Sequence, residues 1–93
     1  MRPIAVELKN VMAACQQEAG KEEAYGYLPE IVSCLQTMLA QVKTGELSSD
    51  GERSRLAAGV FRLMSEDMRF VESELGERIL AVVDRYASPS LRR

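Results

Sequence analysis

The groups available for chemistry in this 93-residue chain are carboxylates, arginines, lysines, tyrosines and two cysteines, because the sequence contains no histidine. Histidine is the usual general base and a common metal ligand, so its absence excludes Ser-His-Asp and Cys-His nucleophile systems. It also excludes the di-iron sites of helical bundles, which need two Glu-x-x-His motifs. The chain has no glycine-rich phosphate-binding motif. We therefore predict a protein that is not an enzyme and has no catalytic residues, cofactor or metal site.

The two cysteines, Cys15 and Cys34, do not form a C-x-x-C motif, so the sequence encodes neither a zinc ribbon nor a local redox pair. They fall on consecutive predicted helices that could bring them close, but the simpler interpretation is that both are small buried apolar residues. Arg2, Glu7 and Lys9 interrupt the first 20 residues, which therefore lack the apolar run of a signal peptide. No apolar run is long enough to span a membrane. We expect a cytoplasmic protein with reduced thiols.

A first candidate surface is the segment 66–77, which we call the acidic hinge. It holds five acids and one base, for a net charge of −4. Apolar side chains surrounded by acids suit the docking of a basic protein. Alternatively, Phe70 covers the end of the fold and the acids are solvated or interact with helix dipoles; a calcium site is a third interpretation, without a calcium-loop pattern. The candidate partner-binding residues here are Glu66, Asp67, Met68, Phe70 and Glu72.

A second candidate surface is the segment 22–30, which we call the tyrosine loop. Tyr25 and Tyr27 lie there between acidic residues and a proline. Tyrosine offers a large contact area at little entropic cost, together with a hydroxyl group. In composition the loop resembles the binding segments of small acidic helical immunity proteins, which block bacterial nuclease toxins, although it shares no motif with them. The alternative is that both tyrosines pack over the end of the fold. The candidate residues are Glu22, Glu23, Tyr25 and Tyr27.

The arginines form two series with seven-residue spacing: Arg55, Arg62 and Arg69, then Arg78, Arg85 and Arg92. On helices, each series would form a stripe able to contact phosphates. This predicts, as the alternative function, a nucleic-acid-binding regulator that uses the third and fourth helices. The simpler interpretation is an exposed face with ion pairs four residues apart, Arg62 with Glu66 and Glu74 with Arg78. A net charge of −2 makes nucleic acid the less favoured partner.

Four amphipathic segments must position these side chains. Each has apolar residues at i, i+4, i+7 and i+8, which lie on one face of a helix. The pattern predicts helices at about 3–19, 29–44, 50–68 and 74–87. Helices of this length are marginal alone, and the connections between them are short. The predicted fold is therefore all-α, a compact antiparallel four-helix bundle in one domain (1–93), with 88–93 as a frayed tail.

Helix boundaries are predicted from capping residues and glycines. Ser49 with Glu52 predicts a capping box for the third helix, and Ser73 predicts the N-cap of the fourth. Gly45 is a natural stop for the second helix. Gly76, in the first turn of the fourth helix, is interpreted as a mild liability that costs up to ~1 kcal/mol against alanine.

These features together predict a small protein–protein interaction module, acting as an adaptor or inhibitor of a more basic protein. Spare apolar surface on the first or fourth helix is also compatible with a homodimer. No membrane contact is expected.

Overall fold

The computed structural model describes residues 3–92 and confirms the all-α prediction: this part of the chain forms five α-helices and no strand. The long helices form a bundle with extents of 40 × 21 × 21 Å. None of the helices in residues 3–92 has the length and apolar character needed to cross a membrane. Met1, Arg2 and Arg93, the last residue of the predicted frayed tail, lie outside the described residues. The helices are α1 (Ile4–Ala19), α2 (Leu28–Thr44), α3 (Asp50–Met64), α4 (Met68–Val71) and α5 (Glu74–Ala87), followed by a 3₁₀ turn at Pro89–Arg92.

Local hydrogen bonds start the helices where the capping residues predict. The Ser49 hydroxyl oxygen accepts the backbone N–H of Glu52 at 3.2 Å. The Ser73 hydroxyl oxygen accepts the backbone N–H of Gly76 at 3.0 Å. Both predicted N-caps are therefore confirmed. At the end of α2, Gly45 adopts φ 76°, the left-handed conformation that favours glycine.

The predicted third helix is too long. α3 ends at Met64 instead of near residue 68, and the one-turn helix α4 follows after a break. The break is local in origin, because Asp67 has an extended backbone (φ −139°, ψ 107°) and its side chain accepts the backbone N–H of Arg69 at 2.9 Å. This Asp67 cap starts a new helical turn, which carries Phe70 into the core.

Gly76 is required by packing and is not a liability. It is buried where α4 lies against the first turn of α5. A Cβ atom at this position would stand 2.1 Å from the carbonyl oxygen of Phe70 and 2.7 Å from that of Val71. The missing side chain permits this close approach of two backbones, which outweighs the lower helix propensity of glycine.

The core takes one apolar stripe from each long helix. α1 packs mainly against α2 and α5, while α3 packs mainly against α5 and α2. The stripes follow the predicted periodicity. The buried apolar residues are Ile4, Leu8, Val11, Cys15, Leu28, Ile31, Leu35, Met38, Val60, Met64, Phe70, Ile79, Val82, Val83 and Tyr86.

One charged side chain of the described chain is fully buried, that of Arg53 at the start of α3. Its guanidinium donates to the carbonyl oxygens of Ser48 (2.8 Å), Tyr86 (3.0 Å) and Ser88 (3.1 Å). It also donates to the Asp50 carboxylate at 2.8 Å. Arg53 thus joins the loop before α3 to the end of α5, at the end of the bundle opposite to the tyrosine loop.

Candidate protein-binding surface

The tyrosine loop and the acidic hinge meet at one end of the bundle. The ring of Tyr25 stacks on that of Phe70, with centroids 4.3 Å apart and an interplanar angle of 8°. The Tyr25 hydroxyl donates to the backbone carbonyl of Leu63 and, at 3.2 Å, to that of Met64. Two surfaces that the sequence presents separately therefore adjoin. We call this combined surface, residues 21–27 and 65–73, the acidic end.

Tyr25 and Phe70 support the acidic end from beneath. Tyr25 is half-buried and Phe70 is buried. Burial is the largest cause that raises the pKa of Tyr25, and the neighbouring carboxylates of Glu66 and Asp67 raise this pKa further. The Tyr25 hydroxyl therefore stays protonated and donates to the carbonyls at the end of α3. These two candidate residues hold the loop and the hinge together.

Two other candidate residues carry the exposed apolar surface. Tyr27 is 40% exposed, and its ring meets that of Tyr25 edge-on, with centroids 5.8 Å apart. Met68 is 55% exposed. Four of the candidate acids are exposed as well and form no ion pair within residues 3–92: Glu22, Glu23, Glu66 and Glu72.

Asp67 has a different role from the other acids. It is half-buried, and its pKa is lowered foremost because its carboxylate accepts the backbone N–H of Arg69. The Arg69 guanidinium lies 3.4 Å from the same carboxylate oxygen. Asp67 therefore acts mainly within the chain, as the cap of α4, and contributes a partly compensated charge to the surface.

A cleft of about 680 Å³ opens beside the acidic end, between the end of α1 and the start of α5. Tyr25, Phe70 and Leu75 form its apolar wall, and its charged residues are of both signs. Sequence reasoning missed the contribution of α1, whose residues here lie off the buried stripe. The sequence feature that could have indicated charged α1 residues at this end is the three-residue spacing of Glu18 and Lys21, which form an ion pair at 2.9 Å. The α1 residues of the cleft are Ala14, Gln17 and Glu18.

The first arginine series is divided. Arg55 and Arg62 lie exposed on α3, whereas Arg69 belongs to α4 and pairs with Asp67, because α3 ends at Met64. The second series is partly covered, with Arg78 and Arg85 half-buried on α5. The side chain of Arg92 lies outside the described residues.

Both predicted ion pairs of these arginines are wrong. Within residues 3–92, neither Arg62 with Glu66 nor Glu74 with Arg78 forms an ion pair. For Arg62 the reason is the end of α3 at Met64, which removes Glu66 from the regular helical spacing on which the pair depends.

No family model, no curated protein and no solved structure matches this chain. The acidic end presents carboxylates, an exposed phenol and a thioether. In the described part of the chain, no group of three or more acids and cysteines is arranged to hold a metal ion. The phenol and the thioether can be buried against another macromolecule, and the surrounding carboxylates can attract its positive charges.

Proposed function

We propose that this protein is a non-enzymatic interaction module, an adaptor or inhibitor, whose acidic end docks a more basic protein. We also propose that it works in the cytoplasm, since both cysteines are free thiols.

One observation carries the proposal: two exposed apolar side chains, Tyr27 and Met68, stand among unpaired acids on a packed support. Binding energy at protein interfaces concentrates in a few large side chains, with tyrosine prominent among them, and methionine adapts its shape to a partner. The stacked pair of Tyr25 and Phe70 beneath limits the conformational entropy that docking would remove.

The charge of the acidic end supports a basic partner. Segments 21–27 and 65–73 contain five acids and two bases, for a net charge of −3. Negative charge around an apolar contact accelerates association with a positive surface and disfavours acidic proteins. Salt screens such surface charges, so binding should weaken as ionic strength rises.

The test compares capture of partners from native extract by the unchanged protein and by the double variant Tyr27→Ala/Met68→Ala. We expect the double variant to lose a basic protein that the unchanged protein retains, with affinity reduced about tenfold or more. Val6→Ala is the matched control, because Val6 is also exposed (43%) but lies near the start of α1, away from the acidic end. If Tyr27→Ala/Met68→Ala captured the partner as strongly as Val6→Ala does, the acidic end would not be the docking surface.

A second experiment measures association rates with the captured protein. The change Glu66→Gln/Glu72→Gln should slow association and reduce its dependence on salt, because it removes two exposed charges of the acidic end. Glu46→Gln/Glu52→Gln removes the same charge from exposed residues at the other end of the bundle and serves as the control. A similar effect of both changes would indicate attraction by net charge alone.

One observation favours the alternative function of nucleic-acid binding: Arg55 and Arg62 are exposed on α3 and form no ion pair in residues 3–92. A DNA-retention assay at low and moderate salt tests it. Retention that falls with salt and is lost on Arg55→Glu/Arg62→Glu would support this function. The net charge of −2 opposes it.

A further inference from the structure

The solvent-facing side of α3 carries a contact surface that shares no residue with the acidic end. Phe61 is 46% exposed there, and the side chains beside it are exposed and either small or cationic. Positions 54, 58, 61 and 62 have the i, i+4, i+7 and i+8 spacing of a single helix face, and position 55 lies two turns before 62 on the same side. We call this surface the α3 outer face; its residues are Ser54, Arg55, Ala58, Phe61 and Arg62.

The charges of the α3 outer face are of one sign. Arg55 and Arg62 lie about 10 Å apart along the helix and form no ion pair in the described part of the chain. The two acids of α3, Asp50 and Glu52, both lie in its first turn, and Asp50 pairs with the buried Arg53. The rest of the helix holds no acid. The face therefore presents two unpaired cations beside an exposed aromatic ring.

We infer that the α3 outer face docks an acidic protein segment, which places an apolar side chain on Phe61 and carboxylates opposite Arg55 and Arg62. Arginine donates two parallel hydrogen bonds to a carboxylate, and aromatic and arginine side chains are prominent among those that carry binding energy at protein interfaces. Ser54 and Ala58 lie between the ring and the two arginines and are small, so the segment can approach the helix there. The charge of the face requires an acidic partner, and the ring requires that part of the contact be apolar.

Nucleic acid also carries the negative charge that Arg55 and Arg62 attract, but it fits this surface less well. Two cations neutralise at most two phosphates, and the affinity of nucleic acid depends on the number neutralised. α3 has 15 residues and is about 22 Å long, so a longer polyanion would extend toward the acidic end, which begins three residues after Arg62 and has a net charge of −3. A protein segment holds its carboxylates at a few positions and avoids this repulsion.

This inference goes beyond the proposed function and does not rest on it, because the α3 outer face and the acidic end use different residues. The two surfaces also select partners of opposite charge. A chain that uses both surfaces would bridge a basic protein and an acidic one, which is the action of an adaptor.

The test titrates the isotope-labelled full chain with a synthetic peptide of leucine and glutamate and follows the backbone amide signals by NMR. The peptide concentration reaches about 1 mM, which detects contacts as weak as about −4 kcal/mol. We expect saturable shifts concentrated at residues 54–62. A peptide with glutamine in place of glutamate should bind at least about tenfold more weakly, because it lacks the charges that face the arginines.

Variants of the chain identify the side chains that bind the peptide. Arg55→Gln/Arg62→Gln and Phe61→Ser should each weaken binding about tenfold or more, since the first removes both cations and the second removes the ring. Circular dichroism of Phe61→Ser should show an unchanged helical fold, because Phe61 is not a core residue. Lys9→Gln/Lys43→Gln removes the same charge from exposed residues of α1 and α2, and should change binding less than about twofold.

A further variant separates this surface from the acidic end. Tyr27→Ala/Met68→Ala should bind the acidic peptide as tightly as the unchanged protein does, because both residues lie on the acidic end. Failure of the acidic end to bind a basic protein therefore leaves the inference standing, and failure of the acidic peptide to bind leaves the proposed function standing.

Four outcomes would overturn the inference. The first is the absence of saturable shifts up to about 1 mM peptide. The second is a set of shifts centred outside α3, and the third is equal binding of the glutamate and glutamine peptides. The fourth is tighter binding of a thymidine oligonucleotide of the same charge to residues 54–62, which would make the face a nucleic-acid surface.

Discussion

Gly76 lies where the backbone of α4 comes closest to the first turn of α5. Gly76→Ala should lower the free energy of unfolding by about 2 kcal/mol or more, because the new methyl group would overlap the carbonyl oxygens of Phe70 and Val71. Gly59→Ala is the matched control within a helix, since a Cβ at that position would meet nothing within 4 Å beyond its chain neighbours and the backbone of its own helix. It should stabilise by up to ~1 kcal/mol. Urea denaturation measures the free energy of unfolding of both variants. If both substitutions shifted it in the same direction, the close backbone packing at Gly76 would not explain the effect.

At the same scale, the buried thiol of Cys15 predicts a dependence of stability on pH. Burial raises the pKa of Cys15 from 9.0 to about 11, against a smaller lowering effect of Arg78. As pH rises, the unfolded chain therefore releases this proton first. The stability that the neutral thiol contributes is complete below pH 9 and is lost as pH rises through about 11.

The free energy of unfolding should therefore fall more steeply between pH 9 and 11 in the unchanged protein than in Cys15→Ala. Urea denaturation at each pH measures the two slopes. Cys34→Ala is the control: burial also raises the pKa of Cys34, but this residue is only half-buried, so its removal should change the slope less. Parallel slopes for the unchanged protein and Cys15→Ala would show that the buried Cys15 thiol does not cause the loss of stability at high pH.

At the scale of elements, Tyr25 holds the tyrosine loop against the end of α3. Tyr25→Phe keeps the stacked ring but removes the hydroxyl bonds to Leu63 and Met64, and should cost about 1 kcal/mol. Tyr25→Ala also removes the ring from Phe70 and should cost about 3 kcal/mol or more. Tyr27→Ala should change stability by less than about 1 kcal/mol, since Tyr27 is exposed.

Thermal unfolding of these variants distinguishes Tyr25, which holds the loop in place, from Tyr27, which lies on its surface. A Tyr27→Ala variant as unstable as Tyr25→Ala would show that Tyr27 also holds the loop in place. The expected order means that Tyr27 can be changed without loosening the loop, whereas a change of Tyr25 would destabilise the fold as well as the surface.

At the scale of the whole molecule, Arg53 joins segments that are distant in sequence. Arg53→Met should lower the free energy of unfolding by about 3 kcal/mol, because the carbonyls of Ser48, Tyr86 and Ser88 lose a buried charged donor. Arg55→Met, on the exposed face of the same helix, should stay within about 0.5 kcal/mol. Guanidinium denaturation measures the free energy of unfolding of both variants. Equal effects would show that the hydrogen bonds of Arg53 stabilise the fold no more than the exposed side chain of Arg55 does.

Patterns within short stretches of the sequence are enough to predict the number of long helices, their approximate limits and their apolar stripes. These features depend on the 3.6-residue period and on hydrogen bonds between residues a few positions apart, as with the caps at Ser49 and Ser73. The sequence also indicated most residues of the acidic end, because charge and tyrosine content are visible in short segments. The break after Met64 was missed because an aspartate cap inside an apolar period looks like continued helix.

Which of those residues contact one another follows from the packed fold and not from any short stretch of sequence. The contact of the tyrosine loop with the hinge, the burial of Arg53 and the need for glycine at position 76 all join parts of the chain brought together by folding. Such contacts depend on how helices pack side by side, and periodicity within one helix carries no information about its neighbour. For the same reason, the support role of Tyr25 and the exposure of Tyr27 could not be distinguished until the helices were in place.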